Sequence, residues 1–176
     1  MSVVLVINSG SSSFKYQLID VETEQVFASG LIERIGQELG AVVHSNAEGK
    51  TVRELPITDH KHGFAVMQEA FDTLGPRLSE HPPIAVGHRV VHGGKRFFEP
   101  TLVTELVKIN IADIAELAPL HNPAHLQGIN AAELAFPDLP HVVVFDTAFH
   151  QTLPEAAWRY AIDRELADTY RLRRYG

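Results

Sequence analysis

Four short segments of the sequence carry side chains that could hold phosphate or carboxylate groups. The first, Asn8-Ser9-Gly10-Ser11-Ser12-Ser13, combines four hydroxyls, a carboxamide and a flexible glycine, and Lys15 follows as a cation. Such a loop can face phosphate oxygens. The second glycine and the following helix of a Walker loop are missing, so the segment predicts a hairpin clamp for phosphate. An ordinary solvated turn is the alternative, because serine is common in turns.

The second segment, Gly87-His88-Arg89-Val90-Val91-His92-Gly93-Gly94, closes a predicted strand. The period of two places Arg89 and Val91 on one face, with His88 and His92 beneath the other. This pair suits a short carboxylic acid, because a guanidinium can bind the carboxylate with two hydrogen bonds while the branched side chain packs against the alkyl end. The alternative is a structural ion pair at the end of a strand.

The third segment, Leu120-His121-Asn122-Pro123, puts a histidine just before a predicted helix N-terminus. There the helix dipole favours anions and disfavours the protonated imidazole, so a neutral His121 could donate a hydrogen bond to a developing oxyanion. The alternative is a loop histidine that bonds only to backbone. His121 and His125 have a spacing seen in metal sites, but the glutamate of the metalloprotease pattern and a third ligand are missing, so we do not expect zinc.

The fourth segment, Val142-Val143-Val144-Phe145-Asp146-Thr147, ends a buried strand in a carboxylate. Ligands of open α/β sheets gather outside such strand ends, which makes Asp146 the best single candidate for a functional residue. The alternative is that Asp146 only caps the following turn.

The elements that would position these segments follow from hydrophobic periodicity. Strands are predicted at residues 3–7, 14–18, 26–35 and 84–91, in two short runs around the turn at 46–49, and at 141–145. Helices are predicted from a cap at Asp59 to Gly75-Pro76, at 109–117, from a cap at Asn122 to Phe136-Pro137, and at 163–170.

The order of these elements predicts the fold. Meandering strands come first, and strands separated by helices follow, which indicates an α/β domain with a mixed sheet, antiparallel on one side and parallel on the other. This is the ribonuclease H-like pattern. No linker rich in Gly, Pro or Ser and no internal repeat divides the sequence, so residues 1–176 are predicted to form one domain.

Composition excludes several function classes. The formal net charge of −7 offers no basic surface for nucleic acid or for anionic lipid. The first apolar run has no basic segment before it and is too short for a signal peptide, and no later run reaches the ~20 apolar residues of a membrane span. Cysteine is absent, which excludes disulfides and thiolate metal sites. We therefore expect a cytoplasmic protein that binds neither nucleic acid nor membrane.

Taken together, the four segments resemble the acetate kinase family, part of the superfamily of sugar kinases, heat-shock ATPases and actin. They occur in the order and approximate spacing of that family and cover nearly the whole chain. The resemblance implies reversible transfer of a phosphoryl group between ATP and acetate, giving ADP and acetyl phosphate, with Mg²⁺ as the metal.

The resemblance also implies roles for single residues. Asn8 would help to hold the metal and the phosphates, while Lys15, Ser11 and Ser13 would face the phosphates of ATP. Arg89 would bind the carboxylate of the substrate.

The remaining carried-over roles surround the reacting groups. Val91 and Leu120 would line the methyl pocket, and His121 would contact the transferred phosphoryl group. Asp146 corresponds to the essential acidic residue of the family, either a proton acceptor or a magnesium anchor. Physical chemistry favours the anchor, because a carboxylic acid with a pKa of ~4.3 is already ionised at neutral pH and has no proton to give.

Members of this family continue past Arg174-Tyr175-Gly176 into a histidine-containing motif and a second domain. That domain supplies further catalytic residues, the adenosine pocket and most of the contact of a homodimer. The resemblance therefore implies that this chain is the N-terminal domain of a longer enzyme and is inactive alone.

Two other functions stay open at this stage, and a third is disfavoured by the residues present. A propionate kinase of the same family would need only a slightly larger acyl pocket. A non-catalytic domain could keep the motifs and bind an anion or a partner. A sugar kinase of the same superfamily would place polar, hydroxyl-reading residues where Arg89 and Val91 stand, which this sequence does not do.

Overall fold

A computed structural model describes residues 2–176. Eight strands form one sheet in the order β5-β4-β3-β2-β1-β6-β8-β7. The strands are β1 Val3–Ser9, β2 Ser13–Asp20, β3 Val26–Glu33, β4 Gly40–Asn46, β5 Gly49–Leu55, β6 Ala85–Val90, β7 Thr101–Leu102 and β8 His141–Phe145. The helices are α1 His60–Leu74, α2 Glu105–Asp113, α3 Asn122–Ala135, α4 Glu155–Trp158 and α5 Arg164–Thr169, with short 3₁₀ turns at Ala115–Leu117 and Asp146–His150.

The sheet is mixed, as the order of elements predicts. Strands β1 to β5 pair with their neighbours in antiparallel register, whereas β6 lies parallel to both β1 and β8. The short β7 pairs antiparallel with β8 at the edge of the sheet. The predicted α/β fold, antiparallel in its first strands and parallel in its later strands, is confirmed.

Helices α1 and α3 pack on one face of the sheet and bury its alternate residues. In β1, for example, Leu5 and Ile7 are fully buried against the helices, whereas Val6 between them is 36% exposed. The same alternation in β2 buries Phe14 and leaves Lys15 exposed. The period of two in these strands therefore separates a core face from a face open to solvent.

Several element ends follow local capping. The predicted first helix is confirmed, since the Asp59 side chain accepts a hydrogen bond from the backbone of His62. Helix α2 begins earlier than predicted because Thr104 caps it in the same way. The prediction that Asn122 caps α3 is wrong: His121 occupies the cap position, and Asn122 is already helical. The edge strand β7 and the short helix α4 have no counterpart in the sequence prediction.

Within residues 2–176, every helix is too short or too polar to cross a bilayer.

Candidate active site

Three parallel strands bring three polar side chains to one edge of the sheet. Asn8 lies near the end of β1, Arg89 near the end of β6, and Asp146 directly after β8. These strands are adjacent and point the same way, so their carboxyl ends meet at one edge. This is the position at which open α/β sheets bind their ligands.

Arg89 and Asp146 form a two-pronged ion pair at this edge. The Nε–H of Arg89 donates to Oδ1 of Asp146 at 2.9 Å, and its Nη2 donates to Oδ2 at 2.6 Å. Both side chains are nearly half exposed. The hydrogen bond to Asp146 is the main reason why the pKa of Arg89 is raised, so the guanidinium is charged at every physiological pH.

Asn8 contacts Arg89, and Lys15 joins the same cluster from the adjacent antiparallel strand β2. The Oδ1 of Asn8 accepts a hydrogen bond from Nη1 of Arg89 at 3.2 Å. Lys15 lies directly opposite Asn8 in the pairing of β1 with β2. The two residues and Arg89 line one cavity of about 570 Å³, which also includes Lys50.

The charged side chains that line this cavity are all positive. Among the described residues that line it, three are cations and none is a carboxylate. In a chain with a net charge of −7, such a surface indicates a site for an anion. The structure therefore brings together the predicted residues Asn8, Lys15, Arg89 and Asp146.

The serines predicted to face phosphate lie in the turn between β1 and β2. The backbone N–H of Gly10 donates to the carbonyl of Ser13 at 2.7 Å, which closes the turn on itself. Ser11 is exposed and Ser13 is half-buried. The hydroxyls of Ser11 and Ser13 form no hydrogen bond to another group within residues 2–176, so both hydroxyls are available to a ligand.

His121, Leu120 and Val91 are less closely assembled. His121 is exposed at the start of α3 and makes no capping bond, and its ring centroid lies 6.4 Å from that of His125. Leu120 is 82% exposed, and Val91 is half-buried after β6. Across the part of the chain that the structure describes, neither His121 nor Leu120 shares a hydrogen bond, ion pair or ring contact with Arg89 or Asp146.

Asn122 is an important residue that the sequence reasoning misassigned. Its side chain is fully buried; Nδ2 donates to the carbonyl of His92 at 2.9 Å, and Oδ1 accepts from the N–H of the same residue at 3.2 Å. The hydroxyl of Thr147 accepts from the N–H of Gly93 at 2.9 Å. These bonds fix the loop after β6 to α3 and to the end of β8. Asparagine between a histidine and a proline was the only local signal, and it indicated a cap.

The donor set at the strand ends suits a hard cation. Mg²⁺ prefers oxygen ligands, takes one or two carboxylates from a protein, and completes its shell with water and substrate phosphates. Asp146 supplies a carboxylate and Asn8 an amide oxygen within the same cluster. No group of three or more His, Cys, Asp or Glu side chains that could hold a metal ion occurs in residues 2–176.

A family model described as "Acetokinase family" matches residues 3–176 of this chain. Two curated relatives named acetate kinase illustrate the similarity. The protein of Clavibacter sepedonicus is 64% identical over 176 residues, which is 100% of this chain and 44% of the relative. The protein of Streptomyces coelicolor is 50% identical over 175 residues, which is 98% of this chain and 43% of the relative.

Solved structures give the same picture. A propionate kinase from Francisella tularensis superimposes with a TM-score of 0.91 at 41% identity, and an acetate kinase from Porphyromonas gingivalis with a TM-score of 0.92 at 38% identity. Each match covers 100% of this chain and 45% of the solved chain. The chain thus spans less than half the length of the relatives it matches.

Proposed function

The chain belongs to the acetokinase family, and we propose that it is the N-terminal, carboxylate-binding part of an acetate kinase. The proposed reaction is reversible phosphoryl transfer between ATP and acetate, which gives ADP and acetyl phosphate. The observation that carries the proposal is the cluster of Arg89, Asn8 and Asp146 at the carboxyl ends of three parallel strands, with Lys15 beside Asn8 on the neighbouring strand.

Electrostatics is the main task of these side chains in such a reaction. Acetate at neutral pH is already ionised, so its attack on a phosphoryl group needs no general base and meets instead the repulsion between two anions. Positively charged groups that are fixed before the reaction lower this barrier. Arg89 and Lys15 would provide such charges, Arg89 at the acid and Lys15 at the phosphates.

Arg89 has hydrogen-bonding capacity left for a substrate. Its bonds to Asp146 and Asn8 use the Nε–H and one N–H of each terminal nitrogen. One N–H on each terminal nitrogen therefore remains for an incoming carboxylate. In this geometry Asp146 holds the plane of the guanidinium, and the substrate binds at its outer edge.

Mg²⁺ fits the donor set, and Asp146 with Asn8 would hold it; once bound, it would offset the negative charge of the phosphates. Asp146 would act as an anchor and not as a proton acceptor, because the acid substrate is already ionised at neutral pH and has no proton to give. His121, at the start of α3, would donate a hydrogen bond to the transferred phosphoryl group. Ser11 and Ser13 would face the phosphates, and Val91 with Leu120 the methyl group.

Further parts of the proposal rest on family membership alone. They are a second domain that contributes the adenosine pocket, a homodimer formed mostly through that domain, and a cytoplasmic location. The N-terminal domain by itself would then be inactive, because it lacks half of the site.

Propionate is the second candidate for the acyl substrate. The Francisella propionate kinase, at 41% identity, supports it, although the curated relatives at 64% and 50% identity are named acetate kinase. One methylene group is worth only ~1–3 kcal/mol of discrimination in a pocket. Parallel assays with both acids therefore belong to any test.

The experiment measures acyl phosphate, trapped with hydroxylamine, in the full-length protein supplied with MgATP and either acid. We expect activity that falls by roughly 10²- to 10³-fold in Arg89→Ala. Arg53→Ala is the matched control, because Arg53 is a similarly exposed arginine that pairs with Glu69 away from the site. The control is expected to keep full activity.

Two outcomes would overturn the proposal. Full-length protein without activity on acetate and propionate would exclude a kinase of these acids and favour a non-catalytic anion-binding domain. Equal losses in Arg89→Ala and Arg53→Ala would show that Arg89 has no special part in substrate binding. The 176-residue chain, assayed alongside, is expected to be inactive.

A further inference from the structure

Hydrogen bonds hold the turn between β1 and β2 against neighbouring parts of the domain. Gly10 and Ser12 each bond through their carbonyl oxygens to groups outside the turn. The partner of Ser12 is the N–H of Ile35, at 2.9 Å. The partner of Gly10 is a side chain, the Nε2–H of His60, at 2.8 Å.

His60 reaches the turn from helix α1. It is the first residue of α1, 50 positions away from Gly10 in the sequence, and its side chain is 2% exposed. Its ring stacks on Phe14, the second residue of β2, with the ring centroids 6.4 Å apart. The same imidazole thus contacts the turn by a hydrogen bond and the strand that follows it by packing.

Helix α3 holds the residue before Gly10. Ser9 is buried with its Cβ against Gly128, and a side chain at 128 would overlap it. His125, one turn earlier in α3, is 3% exposed and lies close enough for the backbone of Ser9 to affect its protonation. Burial nonetheless lowers the pKa of His125, which keeps this imidazole neutral beside the cationic Arg89.

Three residues of the turn are fixed to neighbouring elements. Ser9, Gly10 and Ser12 contact α3, α1 and the segment after β3, whereas Ser11 has no such contact within residues 2–176. Asn8 and Lys15 flank the turn and are paired across the two strands. Any shift of the turn would therefore displace the two side chains that line the cavity with Arg89.

We propose that His60 is a positioning residue, whose hydrogen bond to the carbonyl of Gly10 fixes the turn that the proposed kinase uses to hold phosphate. The inference rests on the proposed function for its effect on catalysis and on the structure alone for its effect on the turn. His60 touches no reacting group; it acts through Gly10.

Two substitutions separate the hydrogen bond from the packing. His60→Gln keeps a side-chain N–H donor but loses the ring that stacks on Phe14. His60→Phe keeps the ring and loses the donor, and a second donor-free variant, His60→Leu, covers the case in which the larger ring does not fit. His62→Phe is the control, because His62 lies on the same helix, is half-buried, and bonds through its ring to Thr58 and not to the turn.

Hydrogen exchange of the full-length protein tests the turn without reference to activity. We expect the amides of Gly10 and Ile35, which close and anchor the turn, to exchange about two- to tenfold faster in the donor-free variants, the factor that one hydrogen bond supplies. In His60→Gln and His62→Phe they are expected to exchange as in the parent. Equal exchange in the Gln and donor-free variants would overturn the proposal.

Kinetics provides the second readout. In the donor-free variants kcat is expected to fall by about ten- to a hundredfold, with KM for the acid unchanged, because displaced phosphate-holding groups misalign the transfer. His60→Gln is expected to keep most of the activity. Equal losses in all His60 variants, in step with lost thermal stability, would reduce His60 to a packing residue. If the parent protein transfers no phosphoryl group, the proposed function fails, and hydrogen exchange alone decides the role of His60.

Discussion

His88 and Arg89 are neighbours in β6, and each pairs with a residue at or after β8, but they do so on opposite faces of the sheet. His88 is 3% exposed, and its Nε2 lies 2.9 Å from Nδ1 of His141. Arg89 meets Asp146 on the open face, where both side chains are nearly half exposed. One face thus carries a pair of imidazoles inside the core, and the other a charged pair in contact with solvent.

The protonation of the buried pair follows from its partners. Nε2 of His141 lies 3.1 Å from the carbonyl of Phe136 and must donate to it, so Nδ1 of His141 accepts the bond from His88. The pKa of His88 is lowered to about 3, mainly by burial and to a lesser extent by the neighbouring His141. The ring of His88 is therefore neutral at pH 7 in the folded protein.

The two faces of the sheet are expected to have different roles, the buried face in stability and the open face in catalysis. A buried polar pair strongly affects folding, because removing one partner leaves the other unsatisfied. An exposed ion pair contributes little to folding but can present charge to a ligand. We therefore expect substitutions on the open face to change activity, and those on the buried face to change stability.

The largest expected effect is on the open face. Asp146→Asn keeps the size of the side chain but removes its charge, and with it the anchor proposed for the metal. We expect kcat of the full-length protein to fall by about 10³-fold, or roughly 4 kcal/mol, with the free energy of unfolding nearly unchanged. Acyl phosphate assays and urea unfolding of the same samples measure both. A variant that lost as much stability as activity would show that the two faces do not divide these roles.

The next effect in size is on the buried face. His141→Ala removes the acceptor of the His88 N–H and leaves a cavity, so we expect a loss of about 2–4 kcal/mol in the free energy of unfolding. The double variant His88→Leu with His141→Leu removes both polar groups and should stay within ~1.5 kcal/mol of the parent. The carbonyl of Phe136 keeps the N–H of Leu139 as a partner.

Measurements of kcat serve as the control for the variants of the His88–His141 pair. Folded protein of both variants is expected to keep the parental kcat, because the rings face away from the site. A double variant as unstable as the single one would mean that shape, and not the unsatisfied donor, dominates the cost.

Sequence patterns predicted these elements better than their pairing. The apolar run before Asp146 and the alternation around Arg89 were enough to place both residues at strand ends. Nothing local predicted that the two would bind each other, since they are 57 residues apart in the sequence and meet only through the pairing of β6 with β8. The predicted carboxylate site of Arg89 is thus already partly filled by a carboxylate of the protein.

Other predictions failed or were incomplete for the same reason. Asn122 has the residue type of a helix cap, but its side chain bonds to His92, 30 positions away. His60 contacts Gly10 over 50 positions, and no pattern near either residue indicated this. Capping and periodicity are local properties of a sequence, whereas these bonds depend on how the sheet and helices pack.

A smaller effect concerns pH and the buried face. The pKa of His88 is about 3 in the folded protein and near 6.5 in the unfolded chain, so the unfolded state binds more protons between these values. Stability is therefore full above pH 6.5 and is lost as the pH falls towards 3, by up to about 1.4 kcal/mol per unit. Between pH 7 and pH 5 we expect a loss of about 2 kcal/mol.

Urea unfolding at several pH values tests this slope. The double variant His88→Leu with His141→Leu is the control, and its slope should be smaller by about one proton. His92 and His125, whose pKa values are also lowered by burial, add to the slope in the parent and in the control alike. Identical slopes in parent and double variant would contradict the assignment of His88 as a buried neutral base.

The smallest expected effect is the contribution of the Arg89–Asp146 pair to folding. A double-mutant cycle with Arg89→Ala and Asp146→Ala, measured by urea unfolding, should give a coupling energy of only ~0.2–1 kcal/mol, because water screens both groups and they lose side-chain entropy when they pair. The coupling should shrink further at 1 M salt, where the screening length is about 3 Å. A coupling above about 2 kcal/mol that resists salt would mean that the open face is built for stability. The charged pair would then be a structural ion pair, which was the alternative for an arginine at a strand end, and Arg89 would not be a substrate-binding residue.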